Sequence, residues 1–492
     1  MKDILKRYYH IPCIVLIALI SFCFYSYLRY PLLCSDDAWC VLMAHYFQFP
    51  NDLFAWNQSR VGNIIPLMAQ PFIRLFHLNA ITAVSIAEYI LLFIGVMFFG
   101  ALFKNKLFKI LVAFVFFLPF ERFAFITRYY IGWEYSILAI AIYLLNKVWD
   151  MDKSTLKAKI MMISIMLIFV IDIWVIYNAT FSIIVLLAVL LIYNRKRPQK
   201  IVLQYSIIGG IISCLALKFI YSFVKGTCDD CNKINGLSDI WQAITILFYR
   251  WRGVILGPQH ETMISIFTYL IILLFVVLIV CIIRNKWYRT LIKDKWIAFF
   301  LLDACAFEGI YLLSRWVLLN GMGDWYYVSV RISISMFVLL IFDRLYNEKQ
   351  MRYLRYFLVL ICCVGAVTPI YTMQHTNPRT LKPTLEYVNE LKPLGKCGLI
   401  GDYWDSWICS IGEPDKIVST PHQDDWASTR NLSLAHKAAS MDTVYLVKDN
   451  WLESFPDTIT QFDNKLKKDG EEFYIGKWTM CRYLNISSPS CP

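Results

Sequence analysis

Long apolar runs recur along the chain and are separated by short polar stretches. A run of about 18 or more apolar residues is long enough to cross the hydrocarbon layer of a bilayer. The pattern predicts about eleven membrane-spanning helices. They are expected near residues 11–33, 79–103, 107–120, 130–148, 157–177, 179–194, 201–222, 262–283, 296–320, 325–343 and 353–373. The sequence thus predicts a polytopic α-helical membrane protein.

The connection that follows the first run, residues 34–78, holds two apolar, aromatic segments that are too short to span a membrane. Residues 38–47 and 64–76 are therefore predicted as helices lying in the membrane interface. Pro50 and Gly62 mark a polar turn between them. A second long connection, residues 223–261, is predicted as a loop.

The character of the chain changes after residue 373, where polar and apolar residues alternate on a shorter scale. The pattern predicts a membrane domain over 1–373 and a small α/β domain over 374–492. A helix is expected over 381–395, with strands in "KCGLIG", "DKIVST" and "DTVYLV" and a helix in "STRNLSLAHKAAS". The segment "EEFYIGKWTMCRYLNI" is expected to close the domain as a hairpin.

Composition supports a membrane protein, since 58% of the 492 residues are hydrophobic and only 17% are charged. The net charge of +12 invites a nucleic-acid partner. Most basic residues before 374, however, fall in alternate connections between the predicted spans, which is the positive-inside pattern. The charge therefore predicts a cytoplasmic N-terminus and an extracytoplasmic C-terminal domain, with no nucleic-acid partner.

Cysteines agree with this orientation because none falls in a predicted inner connection. An even number on the outer side is typical of an oxidising compartment. The eight residues concerned are Cys34, Cys40, Cys228, Cys231, Cys397, Cys409, Cys481 and Cys491. The "TCDDC" segment is interpreted as a local disulfide or free thiols in preference to a zinc site, since no second pair with this spacing exists.

Ionisable residues inside the predicted spans are functional candidates, because a charge in a bilayer is costly unless it is paired or hydrated. Most of them lie in the outer part of their spans, and two lie deeper, Asp303 and Glu308. The outer group is Arg29, Glu88, Glu134, Asp172, Lys218, Arg315 and Arg331. This distribution favours a polar cavity that opens outward. The alternative is a set of ion pairs that hold helices together.

Two aspartates, Asp36 and Asp37, follow the first apolar run in "YPLLCSDDAWC". An acidic pair at the membrane surface can act as a general base toward a hydroxyl or an amine. Basic side chains at the same depth can hold an anionic phosphate, and arginine suits this role because its planar fork grips two oxygens. The alternative is that the pair caps the helix that follows or ends the span in water.

In these features the chain resembles the GT-C glycosyltransferases, multi-span enzymes that use polyprenyl- or dolichyl-phosphate-linked sugars. That family is similar in having an acidic motif directly after its first span, which implies that Asp36 is the catalytic base and Asp37 its partner. "RVGNIIPL" at 60–67 resembles a stretch of the arabinose and mannose transferases. It departs from that stretch because Asn63 stands where a basic residue is usual, and Arg60 would supply the charge instead.

The resemblance implies further site residues in later outer segments. In "ERFAFITRYYIGWE", Glu121 and Glu134 are not arranged as Asp-x-Asp, so a required divalent metal is not favoured and no cofactor is expected. Tyr403, Trp404 and Trp407 in "GDYWDSW" are candidates for stacking on a sugar or for the domain core. The residues predicted to bind substrate are Arg60, Arg128, Glu134, Lys218, Arg250, Arg252, His260, Arg315 and Arg331.

The function predicted from these features is transfer of a hexosyl or pentosyl unit from a polyprenyl-phosphate carrier, with inversion, to a glycan, lipid or protein acceptor. The expected location is the outer face of a bacterial cytoplasmic membrane. Two alternatives are a transporter or flippase of lipid-linked sugars and a polysaccharide polymerase or ligase. The first would place charges at several depths and show inverted repeats; the second would rest on arginines in a large loop between late spans.

Overall fold

The computed structural model describes residues 8–31, 33–56, 61–120, 123–149, 151, 155–194, 200–221, 233–256, 262–375 and 381–487. Most of the described chain is helical. The helices are α1 (His10–Tyr25), α2 (Ser35–His45), α3 (Ile64–Phe76), α4 (Ala80–Gly100), α5 (Lys106–Phe117), α6 (Phe123–Ile126), α7 (Tyr130–Trp149), α8 (Leu156–Val175), α9 (Ala179–Asn194), α10 (Lys200–Tyr221), α11 (Leu237–Leu256), α12 (Thr262–Arg284), α13 (Tyr288–Leu291), α14 (Lys295–Leu313), α15 (Arg315–Leu319), α16 (Val328–Arg344), α17 (Met351–His375), α18 (Thr384–Asn389), α19 (Tyr403–Ser406) and α20 (Leu432–Ala439).

Among the described residues, 7 helices are long and apolar enough to cross a membrane. They lie within α4, α7, α8, α12, α14, α16 with the turn before it, and α17. Three more of the predicted runs form shorter apolar helices, at His10–Tyr25, Ala179–Tyr193 and Gln204–Ala216. The run near 107–120 forms α5, which has 12 residues. An integral membrane protein is thus supported, without a fixed number of spans.

The long connection predicted over 223–261 contains a 20-residue helix, α11, which was not predicted from the sequence. Polar residues recur within this segment and lower its mean hydropathy, so no apolar run is visible there. Its apolar residues instead recur every three or four positions, which is the period of a helix with one apolar face.

Contacts between residues divide the chain into two compact units. The bundle unit comprises Met1–Ser21, Tyr89–Phe223 and Thr227–Arg379. The sheet unit comprises Phe22–Glu88, Val224–Gly226 and Thr380–Pro492. The first long connection therefore belongs with the C-terminal domain, although the domain boundary predicted from the sequence lies at residue 373.

The bundle unit is built from helices that pack in neighbouring pairs, such as α7 with α8, α8 with α10, and α14 with α16. Side-chain caps fix several of their first turns; the Asp294 carboxylate, for example, accepts the backbone N–H of Trp296 at 2.9 Å at the start of α14. Gly95 lets α4 approach α7, since a Cβ there would lie 2.6 Å from the Ser136 hydroxyl oxygen.

The C-terminal part of the sheet unit is an α/β domain, as predicted. Its strands are β1 (Cys397–Gly401), β2 (Ile417–Pro421), β3 (Thr443–Val447), β4 (Thr458–Gln461), β5 (Asn464–Lys468), β6 (Phe473–Ile475) and β7 (Trp478–Asn485). They form one sheet in the order β2-β1-β3-β7-β5-β4, with β6 paired to β7. β1 lies parallel to β2 and β3, and the remaining pairings are antiparallel.

Local sequence accounts for most of this domain. The predicted closing hairpin is confirmed as β6 and β7, and the predicted helix after β2 is confirmed as α20. Gly398 lets α20 lie directly on β1, because a Cβ there would fall 1.9 Å from the carbonyl oxygen of Ala438. The helix expected over 381–395 is shorter, since α18 begins after Pro383 and ends before Pro393. The β4–β5 hairpin was not anticipated.

The first connection also forms the two expected helices, α2 and α3. Asn63 fixes the turn before α3, where its buried side-chain amide donates to the carbonyl oxygens of Asp52 at 2.8 Å and Phe54 at 2.7 Å. Asn63 therefore has a structural role at the position where the resembling family carries a basic residue. Arg60 lies outside the described residues.

Candidate active site

The two aspartates after α1 have different environments. Both lie in the first turn of α2. Asp37 is buried, and its Oδ2 accepts the backbone N–H of Cys34 at 2.9 Å, which satisfies one of the free donors at the start of the helix. Asp36 is half-buried and its side chain reaches a different partner. The capping alternative therefore describes Asp37, and Asp36 is left as the candidate base.

The partner of Asp36 is Tyr403, whose hydroxyl donates a hydrogen bond to Oδ1 of Asp36. The Tyr403 side chain is buried. Burial, and then the negative charge of Asp36, raise the pKa of Tyr403 well above its usual value, although the positive charge of Arg430 opposes this. Tyr403 therefore stays protonated and acts as the hydrogen-bond donor.

Arg430 completes this polar chain. Its guanidinium donates to the Tyr403 hydroxyl oxygen at 2.9 Å. The same group lies 4.9 Å from the centroid of the Tyr403 ring and 4.6 Å from that of Trp426, within the range of cation–π attraction. Hydrogen bonds thus run from Arg430 to Tyr403 and from Tyr403 to Asp36.

The sheet positions these residues. Tyr403 follows β1 and Arg430 follows β2, so both come from loops at the carboxyl ends of adjacent parallel strands. Asp425 joins the two loops, since its Oδ2 accepts the backbone N–H of Tyr403 at 2.9 Å and its Oδ1 accepts that of Ala427 at 2.8 Å. In open α/β sheets this edge is the usual place for ligands.

Three tryptophan rings lie against the Tyr403 ring. The Tyr403 ring centroid lies 4.9 Å from Trp404, 5.5 Å from Trp407 and 5.2 Å from Trp426. Trp407 is buried and also meets Trp56 at 5.7 Å, so Tyr403 and Trp407 form part of the packed interior. Trp404 and Trp426 are exposed and are the rings available to stack on a ligand.

Sequence reasoning missed Arg430 and Trp426. The available signal was "DDWASTRN", an acidic, aromatic and basic stretch that directly follows a predicted strand. Loops after parallel strands carry ligand contacts often enough for this stretch to have been a candidate.

In the bundle unit, three of the predicted phosphate-binding arginines already have protein partners. Arg331 donates to the carbonyl oxygen of Val115 at 2.9 Å and to the Thr127 hydroxyl at 2.6 Å. The other two form ion pairs, Arg250 with Asp324 at 2.9 Å and Arg315 with Asp239 at 3.1 Å. These contacts fit the alternative in which charges hold helices together.

The other predicted substrate-binding residues vary in exposure. Lys218 and Arg252 are exposed, and Arg128 is buried. Arg60 and His260 lie outside the described residues, as does Glu121.

Among the described residues of the bundle unit, three acidic side chains are fully buried: Glu134, Asp172 and Asp303. The Ser182 hydroxyl donates to Glu134 at 3.2 Å, and the hydroxyls of Tyr135 and Ser333 each donate to Asp303 at 2.5 Å. The charges of Asp172 and Asp303 both act on Glu134. Since like charges disfavour a bound anion, these carboxylates suit a hydroxyl or a cation better than a phosphate.

A second acidic group lies in the sheet unit. Oxygens of Asp402, Asp405 and Asp449 lie within 4.8 Å of one another, a set of ligands that suits a divalent metal. Lys477 already pairs with Asp405 at 2.6 Å, and burial together with a hydrogen bond to Asp449 raises the pKa of Asp402 to about 7. The positive charge of Lys477 and the proton that Asp402 retains thus offset negative charge in this cluster, and no metal is assigned to it.

Four of the described cysteines on the predicted outer side are free thiols: Cys40, Cys397, Cys409 and Cys481. Cys228, Cys231 and Cys491 lie outside the described residues.

No family model and no curated protein matches the chain. Solved structures similar to it include the oligosaccharyltransferase AglB from Archaeoglobus fulgidus, in complex with an inhibitory peptide and a dolichol-phosphate. That comparison has a TM-score of 0.43 at 12% identity and covers 90% of this chain and 70% of the other.

Two further similar structures are also of the Archaeoglobus fulgidus oligosaccharyltransferase. One, tethered by a disulfide bond to an acceptor peptide with the NVT sequon, has a TM-score of 0.44 at 12% identity, over 90% of this chain and 69% of the other. The second, a complex with Zn and sulfate, has a TM-score of 0.38 at 11% identity, over 88% and 68%.

Proposed function

We propose that this protein is a membrane glycosyltransferase of the GT-C type, which moves a sugar from a polyprenyl-phosphate carrier to an acceptor at the membrane surface. One observation supports the proposal: Asp36, half-buried in the first turn of α2, accepts a hydrogen bond from the Tyr403 phenol, which is itself held by Arg430. A carboxylate that is fixed in direction and still partly accessible is what a general base requires.

In the proposed reaction, a hydroxyl group of the acceptor donates its hydrogen bond to the Asp36 carboxylate. The acceptor oxygen attacks the anomeric carbon of the donor while its proton moves to Asp36. The bond from the anomeric carbon to the phosphate oxygen breaks, and the lipid phosphate leaves with the electron pair. A single displacement of this kind inverts the anomeric configuration.

Tyr403 orients the base. Its hydroxyl donates to Oδ1 of Asp36, and Oδ2 is proposed to accept the proton of the acceptor. Arg430 keeps the phenol in place and adds positive charge near the reacting groups. Trp404 and Trp426 are proposed to pack against sugar rings, because both are exposed beside Tyr403.

Basic residues are proposed to hold the lipid phosphate. Of the predicted set in the bundle unit, Arg250, Arg315 and Arg331 already bind protein groups and are not proposed for this role. The carrier length, the sugar and the acceptor stay open in this proposal.

A transporter of lipid-linked sugars is the second candidate. The buried acids Glu134, Asp172 and Asp303 favour it, since acidic groups inside a helical bundle are typical of translocation and proton paths. Such a protein would move the donor across the membrane without cleaving it.

The test compares wild type with Asp36→Asn in membranes that contain equal amounts of folded protein. Asp424→Asn is the matched control, because Asp424 is exposed in the same unit. Radiolabelled polyprenyl-phosphate sugar from the host is supplied, and label is followed in lipid and in glycan. Transfer should be lost in Asp36→Asn, with the donor accumulating, and retained in Asp424→Asn.

Normal transfer in Asp36→Asn would refute the assignment of the base. Donor that crosses the membrane uncleaved in wild type would favour the transporter.

A further inference from the structure

Helix α11 presents one strongly apolar face to the outside of the protein. Trp241 is 70% exposed and Phe248 is 65% exposed, and Leu237 and Ile244 are exposed beside them. These four residues recur at intervals of four, three and four, so they lie in one stripe along the helix. Four large exposed apolar side chains in a row are unusual on a surface that faces water.

The opposite face of α11 holds it to the bundle unit. Ala243 on this face is fully buried, and Asp239 and Arg250 form ion pairs with Arg315 at 3.1 Å and Asp324 at 2.9 Å. Just before α11, the side-chain amide of Asn235 donates to the carbonyl oxygens of Leu312 at 2.9 Å and Ser314 at 3.1 Å.

These contacts define the direction of the helix. Arg315 and Asp324 both lie in the connection between α14 and α16, at one end of these apolar helices. A helix of 20 residues is about 30 Å long, as long as the hydrocarbon layer is thick. Since Asp239 in the first turn and Arg250 in the second half of α11 both pair with this single connection, we infer that the helix does not cross the membrane and runs along one of its faces.

Charge at the end of the stripe indicates what covers it. Arg252 follows Phe248 by four residues and is exposed on the same side of α11. The next described helix, α12, also carries exposed apolar residues, among them Tyr269 and Leu273, and is apolar enough to cross a membrane. An apolar stripe with tryptophan and a terminal arginine, close in sequence to such a helix, matches the chemistry of phospholipids.

We propose that α11 is an interfacial helix, which lies in the headgroup layer where α14 ends. Its stripe of Leu237, Trp241, Ile244 and Phe248 contacts acyl chains, and Arg252 binds lipid phosphate. The inference does not depend on the reaction proposed for Asp36. It concerns a surface of the bundle unit that holds the protein at a fixed depth.

The test places a photoreactive p-benzoylphenylalanine at position 241 or 248 of the full-length chain. A third variant carries it at Gln242, which is exposed about 100° around the helix from Trp241 and serves as the matched control. Each protein is reconstituted into vesicles of phosphatidylethanolamine and phosphatidylglycerol, irradiated, and analysed by mass spectrometry.

Lipid adducts at 241 and 248 should exceed those at 242 several-fold. Equal yields at the three positions, or crosslinks from the stripe to a second polypeptide, would overturn the proposal. A separate arm adds Arg252→Gln to the variant labelled at 248. The preference of the adducts for phosphatidylglycerol should fall, and an unchanged preference would remove Arg252 from the proposed lipid contact.

Discussion

The phenol of Tyr403 donates a hydrogen bond to the carboxylate of Asp36, and 367 residues of sequence separate the two. One residue starts a helix in the first long connection, and the other starts a helix after the first strand of the sheet. The candidate base is therefore shaped jointly by an early segment and a late domain.

Removing the phenol should weaken catalysis without changing the packing. Tyr403→Phe keeps the ring among Trp404, Trp407 and Trp426 but deletes the donor to Asp36. A hydrogen bond to a charged group contributes about 1.5–3 kcal/mol, so transfer should fall roughly 10- to 100-fold. Initial rates at equal folded protein measure this, with Tyr474→Phe as the exposed control. An unchanged rate would contradict the orienting role of Tyr403.

Arg430 should not tolerate replacement by lysine. The planar guanidinium both donates to Tyr403 and stacks near Trp426, and an ammonium group cannot reproduce that geometry. Transfer in Arg430→Lys should fall about as far as in Tyr403→Phe, and the double variant should be little worse than either single one. Arg482→Lys, at an exposed ion pair with Asp469, supplies the control. Additive losses would mean that the two side chains act separately.

Asp37 should matter for stability and not for transfer. Asp37→Ala removes the acceptor for the Cys34 N–H at the start of α2, which should cost about 0.5–2 kcal/mol. Thermal unfolding in detergent measures this loss, and transfer is then compared per folded molecule. A rate defect as deep as that of Asp36→Asn, with unchanged unfolding, would restore the catalytic role that the sequence suggested for Asp37.

Asp402 should make the protein more stable at acid pH. Its folded pKa of about 7 lies above the ordinary value of 3.8, so the native state retains a proton that the unfolded chain releases. The stabilisation is complete below about pH 4 and is lost as the pH rises through about 7. Asp402→Asn should flatten this dependence and add on the order of 1 kcal/mol at pH 8, after allowance for solvent screening.

Unfolding temperatures at several pH values test the Asp402 prediction. Asparagine can still accept the backbone N–H of Asp405, so the start of α19 is preserved. Asp463→Asn, at an exposed turn, is the control. A variant that loses stability at every pH would show that the ionised form is the native one.

Thr384 should be important for joining the two parts of the sheet unit. Its buried hydroxyl donates to the carbonyl oxygen of Pro31 at 2.8 Å and accepts the backbone N–H of Leu33 at 3.3 Å. Thr384→Val keeps the shape of the side chain but removes the hydrogen-bond partner of the Pro31 carbonyl oxygen and of the Leu33 N–H. This loss should cost about 1–3 kcal/mol of stability. Unfolding should reveal this loss, whereas Thr460→Val on an exposed strand position should change little. Equal effects would exclude a special role for this junction.

Local patterns predicted the apolar helices, the strands β1, β2 and β3 and the acidic motif, because each depends on neighbouring residues. The different hydrogen-bond partners of Asp36 and Asp37 were not predictable, since they depend on which carboxylate turns back to Cys34. Helix α11 was hidden because its apolar residues are spaced around a helix and do not form a run. Arg430 could be recognised as a candidate only from the structure, because the sheet places its loop beside Tyr403.

The bond between Tyr403 and Asp36 also has a consequence for the order in which the protein is made. The ribosome completes the acidic motif long before it reaches the tyrosine, which follows 367 residues later. During most of synthesis Asp36 has neither its phenol nor the guanidinium behind it. With Asp36 as the proposed base, the nascent chain would be inert toward its substrates, and activity would begin only when the late domain has folded onto the early segment.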